Sequence, residues 1–225
     1  MTLQLVGSIL SPFVRKARVF LAEKSVEYEL EPLVPFMAPT SFTEISPLRR
    51  VPVLRDSSNG VSWALPDSSA ICGYLEHKYP DPSLYPRRPA DYGRALWFEE
   101  YADTEFSHTI GQQVFGPVVV QRLLGSEPDM QTAENTFHSA LPSFFRYLES
   151  SIGSNQFLVG NAFGIADISV GVHFQNLNHA GFRLSHDSFP NLSAFVARVL
   201  SRPSFQACLS EETSFLRQQG FAPEG

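Results

Sequence analysis

The sequence predicts a small α/β domain followed by an all-helical one, and three patterns carry that prediction. Apolar residues alternate at period two in two short N-terminal segments that flank a helix-patterned stretch. A ten-residue run, Pro80-Asp81-Pro82-Ser83-Leu84-Tyr85-Pro86-Arg87-Arg88-Pro89, holds four prolines and suits neither a helix nor a sheet. Beyond it the apolar spacing is helical throughout. The expected division is residues 1–80 as the α/β domain, 81–90 as linker and 91–225 as the helical domain.

Leu3 and Leu5 flank Gln4, and Val26, Tyr28 and Leu30 alternate with Glu27, Glu29 and Glu31, so each segment reads as a strand. Between them Phe13, Val14, Ala17, Phe20 and Leu21 recur at three- and four-residue steps, with Pro12 in the first turn, which gives a β-α-β unit. Val51 to Leu54 and Val61 to Leu65 read as two antiparallel strands around an Asn59-Gly60 turn. Pro66-Asp67-Ser68-Ser69 then supplies N-cap chemistry for a helix whose inner face carries Ile71, Tyr74 and Leu75, with Lys78 at its rim. The order is therefore β-α-β, a connection, then β-β-α.

In the second half, helical faces recur at Phe98, Tyr101, Ala102 and Glu105; at Phe137, Leu141, Phe144, Phe145 and Leu148; at Ile165, Ile168 and Val172; and at Leu192, Phe195, Val196 and Val199. Gly116-Pro117 and Pro142 fall inside two of these patterns and predict a break or bend at each.

At 225 residues and 43% apolar composition the chain has material for a substantial core. A formal charge of −6 argues against nucleic acid as a partner, because phosphate backbones are held by clustered Lys and Arg. No basic leader and no long apolar span is visible, so a cytoplasmic protein with no membrane segment is expected. Cys72 and Cys208 sit among apolar residues, as buried reduced thiols do. The six histidines show no metal-ligand spacing, there is no C-x-x-C, and no phosphate-binding glycine motif occurs, so neither a metal nor a nucleotide cofactor is expected.

The chemistry concentrates at element junctions. Ser11 stands where the first strand turns into the first helix, and free N–H groups with the positive end of a helix dipole make that junction suited to a phosphate, a carboxylate or a thiolate. Ser11 also suits a plain N-cap role. Val51-Pro52, ahead of a short strand, is compatible with a cis bond or an ordinary trans strand start. Asp67 and Ser68 cap a helix, and together they also suit the zwitterionic end of an amino acid, the carboxylate at the helix start and the ammonium on Asp67.

Four local signatures, weak singly and strong in this order and spacing, resemble the cytosolic glutathione transferases: Ser11-Pro12-Phe13-Val14-Arg15-Lys16, Arg50-Val51-Pro52-Val53-Leu54, Asp67-Ser68-Ser69-Ala70-Ile71, and Phe157-Leu158-Val159-Gly160-Asn161 with Phe163-Gly164-Ile165-Ala166-Asp167-Ile168. The resemblance spans nearly the whole chain and implies a thioredoxin-like N-terminal domain with a C-terminal helical bundle. It implies glutathione as co-substrate, with no further cofactor. Ser11 would donate to its sulfur, with Ser8 as the alternative donor; Val51 would pair its main chain with the cysteinyl part, and Asp67 and Ser68 would hold the γ-glutamyl group. Arg50 matches a position often basic in theta-like members, near the glycyl carboxylate, and Arg49 is open to the same role or to solvent.

The implied subclass is serine-type, theta- or zeta-like, since no cysteine lies near the junction and Tyr28 and Tyr74 belong to patterned faces. Family members more often carry Glu where this chain has Asp67, and Ser or Thr where it has Gly164, which leaves Asp167 as a helix-capping residue outside the site. The implied activity is attack of the glutathione sulfur on a hydrophobic electrophile, in a homodimer, with a role in detoxification. An electrophile pocket is expected between the domains, near Phe13, Phe106 and Phe115. Isomerase, peroxidase, dehalogenase and etherase chemistry stay open, as does a non-catalytic binding module.

Overall fold

The structure, a computed structural model, describes residues 3–58 and 60–221. The chain divides into two compact units, Met1–Leu84 and Tyr85–Gly225, the first α/β and the second helical.

In the N-terminal unit, β1 (Leu3–Gly7) is followed by α1 (Pro12–Glu23), β2 (Glu29–Pro32), β3 (Val53–Asp56), β4 (Trp63–Pro66) and α2 (Ser68–Lys78). The sheet order is β2-β1-β3-β4, with β1 and β2 parallel and the other pairs antiparallel. A parallel pair needs a crossover, and α1 supplies it. Leu5 lies opposite Leu30 on one side and Leu54 on the other, and Leu54 lies opposite Leu65, so one apolar row crosses the sheet. Leu5, Val14, Phe20, Leu54, Ile71 and Leu75 are essentially inaccessible to solvent.

Three strands are displaced from their expected positions, and local hydrogen bonding accounts for two of the shifts. The Val26 N–H is spent on the Leu21 carbonyl in the cap of α1, where Ser25 takes a positive φ of 54°, so the strand begins only at Glu29. Val51–Pro52 is a cis peptide, and Pro52 has no N–H to offer a ladder, so β3 begins at Val53. β4 begins at Trp63 and pairs antiparallel with β3. Gly60 takes a positive φ of 80° in the connection, while Asn59 of the expected turn lies outside the described residues.

Two buried charged groups, Lys24 and Asp56, brace this unit. Lys24, with no exposed side-chain surface, donates to the carbonyls of Tyr79 and Pro82 at 2.7 Å each and pairs with Glu76 at 2.8 Å, tying the end of α1 to the end of α2 and the proline-rich segment. Asp56, 1% exposed at the end of β3, accepts from Lys78, from Tyr74 and from the Ser58 N–H. Burial pushes the Asp56 carboxyl up, but the donors Lys78, Ser58 and Tyr74 outweigh it and hold the group well below the usual carboxylate range.

In the helical unit, α3 (Pro89–Tyr101) runs without interruption into a wide-turned segment, Ala102–Val120, and a last turn, α4 (Gln121–Leu123). Of the break or bend expected at Gly116-Pro117, the break is excluded, because the helical segment continues through both residues. Pro117 sits inside the widened segment, and the Gln121 N–H reaches five residues back to the Gly116 carbonyl, a spacing that absorbs the donor a proline removes. The same device serves Pro142: α5 (Met130–Asn135) passes through wide turns at Thr136–Ala140 into α6 (Leu141–Ile152), whose first turn contains that proline.

α7 (Ile165–His179) is buried along nearly its whole length, and α8 (Pro190–Leu200) and α9 (Pro203–Gln218) complete the unit. Asp167 anchors the start of α7. Its carboxylate accepts from the Leu158 and Gly164 N–H groups at 2.9 Å each, and burial pushes its carboxyl up to about 7 against the opposing pull of those donors and of Arg202.

The low-lying carboxyl of Asp56 sets a pH dependence. A group depressed in the folded state contributes stability above its unfolded value, and that contribution drains away as pH falls through the folded value. Asp56→Asn is expected to lower stability at neutral pH, with the gap to the natural chain narrowing once pH drops below about 4. Urea denaturation across the acid range measures it, and a gap independent of pH contradicts it.

Candidate functional site

The junction of β1 with α1 is built around a missing side chain. A Cβ placed on Gly7 would lie 2.4 Å from Val14 Cγ2 and 3.2 Å from Val51 Cβ, so the bare backbone at Gly7 lets Val14 of α1 and Val51 close on the end of β1. That approach brings the Ser8–Ser11 turn beside the cis Val51–Pro52 peptide.

Ser11 is the N-cap of α1, with φ −71° and ψ 126°. Its Oγ accepts from the Val14 N–H at 3.4 Å, a long bond, and its hydroxyl donates to no described residue. A hydroxyl that accepts from the helix keeps its proton for another partner. Ser11 is half-buried, and so is Ser8, whose carbonyl accepts from the Ser11 N–H at 3.1 Å and whose hydroxyl makes no hydrogen bond to a described residue.

Val51 is buried, yet its main-chain N–H and carbonyl pair with no described residue. Its neighbour is held from behind. The Arg50 N–H donates to Ser46 Oγ at 2.9 Å, and that hydroxyl donates in turn to the Arg50 carbonyl at 2.8 Å. The Arg50 guanidinium is exposed and without a partner among the described residues. Arg49 differs: its guanidinium donates to the carbonyls of Ala38 at 2.7 Å and Pro39 at 3.2 Å, so it secures the 35–39 segment. Of the two arginines, Arg50 is the one left available to a ligand.

Asp67 is the N-cap of α2 and takes φ 83°, a left-handed value for a non-glycine residue. Its Oδ1 accepts from the Ala70 N–H at 3.0 Å, while the side chain as a whole is exposed. Ser68 is buried, and its hydroxyl has no described partner. Backbone held off its preferred region at a helix start is a feature found at ligand clamps.

Lys16, which the sequence reading did not single out, connects these parts. With no exposed surface, it donates from Nζ to Ser69 Oγ at 2.9 Å and so links α1, capped by Ser11, to the first turn of α2, capped by Asp67. A lysine at a helical step after Ser11 looks solvent-facing in the sequence, and only the tertiary contact reveals its function. Ser46 was missed for the same reason.

Phe106 is fully buried in the helical unit among the rings of Tyr101, Phe144 and Phe174, and Phe115 is also buried. Among the described residues no group of three His, Cys, Asp or Glu side chains suits a metal ion, and no helix is long and apolar enough to cross a membrane. Cys72 and Cys208 are buried, and neither forms a disulfide.

Two family models match this chain: the glutathione S-transferase N-terminal domain over residues 5–83 and the glutathione S-transferase C-terminal domain over residues 120–212. Together they take in well over half of it, and the chain belongs to the glutathione S-transferase family. Its N-terminal unit has that family's thioredoxin-like fold. Among curated relatives, glutathione S-transferase F13 of Arabidopsis thaliana is 27% identical over 213 residues, covering 91% of this chain and 94% of that one. FtsZ-localized protein A of Caulobacter vibrioides is 24% identical over 215 residues, covering 95% and 91%. A solved glutathione S-transferase from Rhodospirillum rubrum superposes with a TM-score of 0.83 at 28% identity, covering 92% and 91%.

The closeness at Gly7 is testable. Gly7→Ala is expected to cost about 1–3 kcal/mol in chemical denaturation through overpacking against Val14, with part of the loss recovered when Val14→Ala is added. No loss in the single variant contradicts the packing described.

Proposed function

We propose that this chain is a serine-type glutathione transferase of theta- or zeta-like character, binding glutathione in its N-terminal unit and holding the thiol as thiolate through Ser11. The observation that carries the reading is the Ser11 hydroxyl: half-buried at a helix start, it accepts from Val14 and has its own proton to give. A hydrogen bond to sulfur, with the N-terminal end of α1 beside it, favours the charged form of the thiol. The open main chain of Val51 offers an N–H and a carbonyl to the cysteinyl residue. Asp67 and Ser68 receive the γ-glutamyl ammonium and carboxylate, and Arg50 receives the glycyl carboxylate.

In the reaction the bound thiolate attacks an electrophilic carbon of an apolar substrate, forming a carbon–sulfur bond as the leaving group departs with the bonding pair. The protein's contribution is to lower the thiol's affinity for its proton and to fix the sulfur's position. No cofactor beyond glutathione enters the scheme. The reading includes a homodimer in the cytoplasm with a detoxifying role, and self-association draws support from exposed aromatic residues of the helical unit, Trp97 and Tyr92 among them.

A second reading is a glutathione-transferase-like module that serves a protein partner. What favours it is that a relative spanning 95% of this chain is named for its localisation with FtsZ. Fold does not choose between the two.

Calorimetry with glutathione, followed by the thiolate absorbance and turnover of the natural chain and of Ser11→Ala, separates them. The transferase reading expects glutathione to bind and Ser11→Ala to lose the thiolate signal and about a hundredfold in turnover, with binding changed only a few-fold. Absent glutathione binding at millimolar concentration defeats the reading. Binding with an unchanged thiolate signal in Ser11→Ala removes Ser11 from its role and leaves Ser8 as the donor.

A further inference from the structure

Ser46 is the hub of the chain reversal that leads into Val51. It follows the 3₁₀ turn at Thr40–Glu44, its N–H donates to the Phe42 carbonyl at 2.9 Å, and its own carbonyl accepts from the Arg49 N–H at 2.8 Å. Arg49 takes a positive φ of 52°, which bends the chain back onto the Ser46 side chain. The hydroxyl then meets both main-chain groups of Arg50: Oγ accepts from the Arg50 N–H at 2.9 Å and donates to the Arg50 carbonyl at 2.8 Å. Both lengths are those of well-formed bonds. Ser46 is 1% exposed, so these bonds form away from competing water.

The bond to the Arg50 carbonyl bears directly on Val51, because that carbonyl and the Val51 N–H belong to one peptide group. The group is trans and planar, so its carbonyl and its N–H point in opposite directions. Holding the carbonyl on Ser46 therefore aims the Val51 N–H away from Ser46. A peptide whose carbonyl accepts a hydrogen bond is also polarised, and its N–H becomes the stronger donor. Val51 is a buried residue whose N–H pairs with no described residue, so Ser46 fixes and strengthens a donor that the N-terminal unit itself does not use.

We propose that Ser46 is a positioning residue for the thiol co-substrate: through the Arg50–Val51 peptide it directs the N–H that reads the cysteinyl carbonyl of glutathione, and it thereby selects thiols that carry this carbonyl over thiols that lack it. The inference rests on the glutathione reading of the N-terminal unit. It assigns the selectivity to the peptide group and not to the Arg50 guanidinium, whose partner in that reading is the glycyl carboxylate. Ser46 touches no part of the ligand and acts through one shared peptide plane. A thiol without the carbonyl leaves the aimed donor unanswered in a buried place, and such a donor carries a desolvation cost.

Calorimetry on the full chain with three thiols tests this: glutathione; γ-glutamylcysteinamide, which keeps the cysteinyl carbonyl and lacks the glycyl carboxylate; and γ-glutamylcysteamine, which lacks both. Ser46→Ala is expected to weaken binding of the first two about tenfold and of the third less than about twofold, and Ser46→Thr, which keeps the hydroxyl, to hold all three within about threefold of the natural chain. Thermal melting checks that each variant folds. Where Ser46→Ala does not, Ser46→Cys under reducing conditions keeps the side chain's shape with a weak donor and is expected to show the same pattern. Equal weakening of all three thiols overturns the proposal, since that is what loss of a merely structural residue produces. Weakening confined to glutathione overturns it in favour of the Arg50 guanidinium. Glutathione binding that Ser46→Ala leaves unchanged overturns this proposal alone, whereas a natural chain that binds no glutathione overturns it together with the transferase reading.

Discussion

The N-terminal unit depends on a close approach at Gly7. With no Cβ there, Val14 and Val51 pack against the backbone at the end of β1, and this contact draws the start of α1, the turn before it and the cis Val51–Pro52 segment into one neighbourhood. Interiors are packed too tightly for such a contact to be loosened by half an ångström without cost. Ser11, Val51 and the buried Lys16 are therefore held by the same few residues that close the sheet onto its first helix. Lys16 extends the constraint to α2 through Ser69, and with it to Asp67 and Ser68.

The polar groups of this neighbourhood fall into two sets. Arg49, Ser46 and Lys24 are consumed by backbone carbonyls and amides and act as internal fasteners. Ser11, Ser68, Arg50 and the Val51 main chain hold capacity in reserve, with donors or acceptors that no described residue meets. Buried or half-buried polar groups are seldom left unmet without a purpose, because each carries a desolvation cost. That reserve is what the glutathione proposal explains.

What was legible in the sequence was whatever is decided locally. The caps at Ser11 and Asp67 were readable because capping is settled within one turn, and the antiparallel β3–β4 pair followed from short-range patterning. β2 was placed too early because the Val26 N–H serves the end of α1, a competition that alternation alone does not reveal. Pro117 and Pro142 read as breaks or bends, and the sequence does not show that a helix will widen to carry them. Arg49 and Arg50 are indistinguishable as letters; only the fold assigns one to carbonyls and the other to solvent.

The central proposal, that the Val51 main chain and the Ser11 hydroxyl receive glutathione, is tested most directly by amide hydrogen exchange followed by NMR with and without glutathione. The Val51 N–H pairs with no described residue, so its exchange is expected to slow by at least about tenfold when glutathione is bound, together with the amides of the first turn of α2. Glutathione binding that leaves the Val51 amide exchanging as in the free protein would contradict the account.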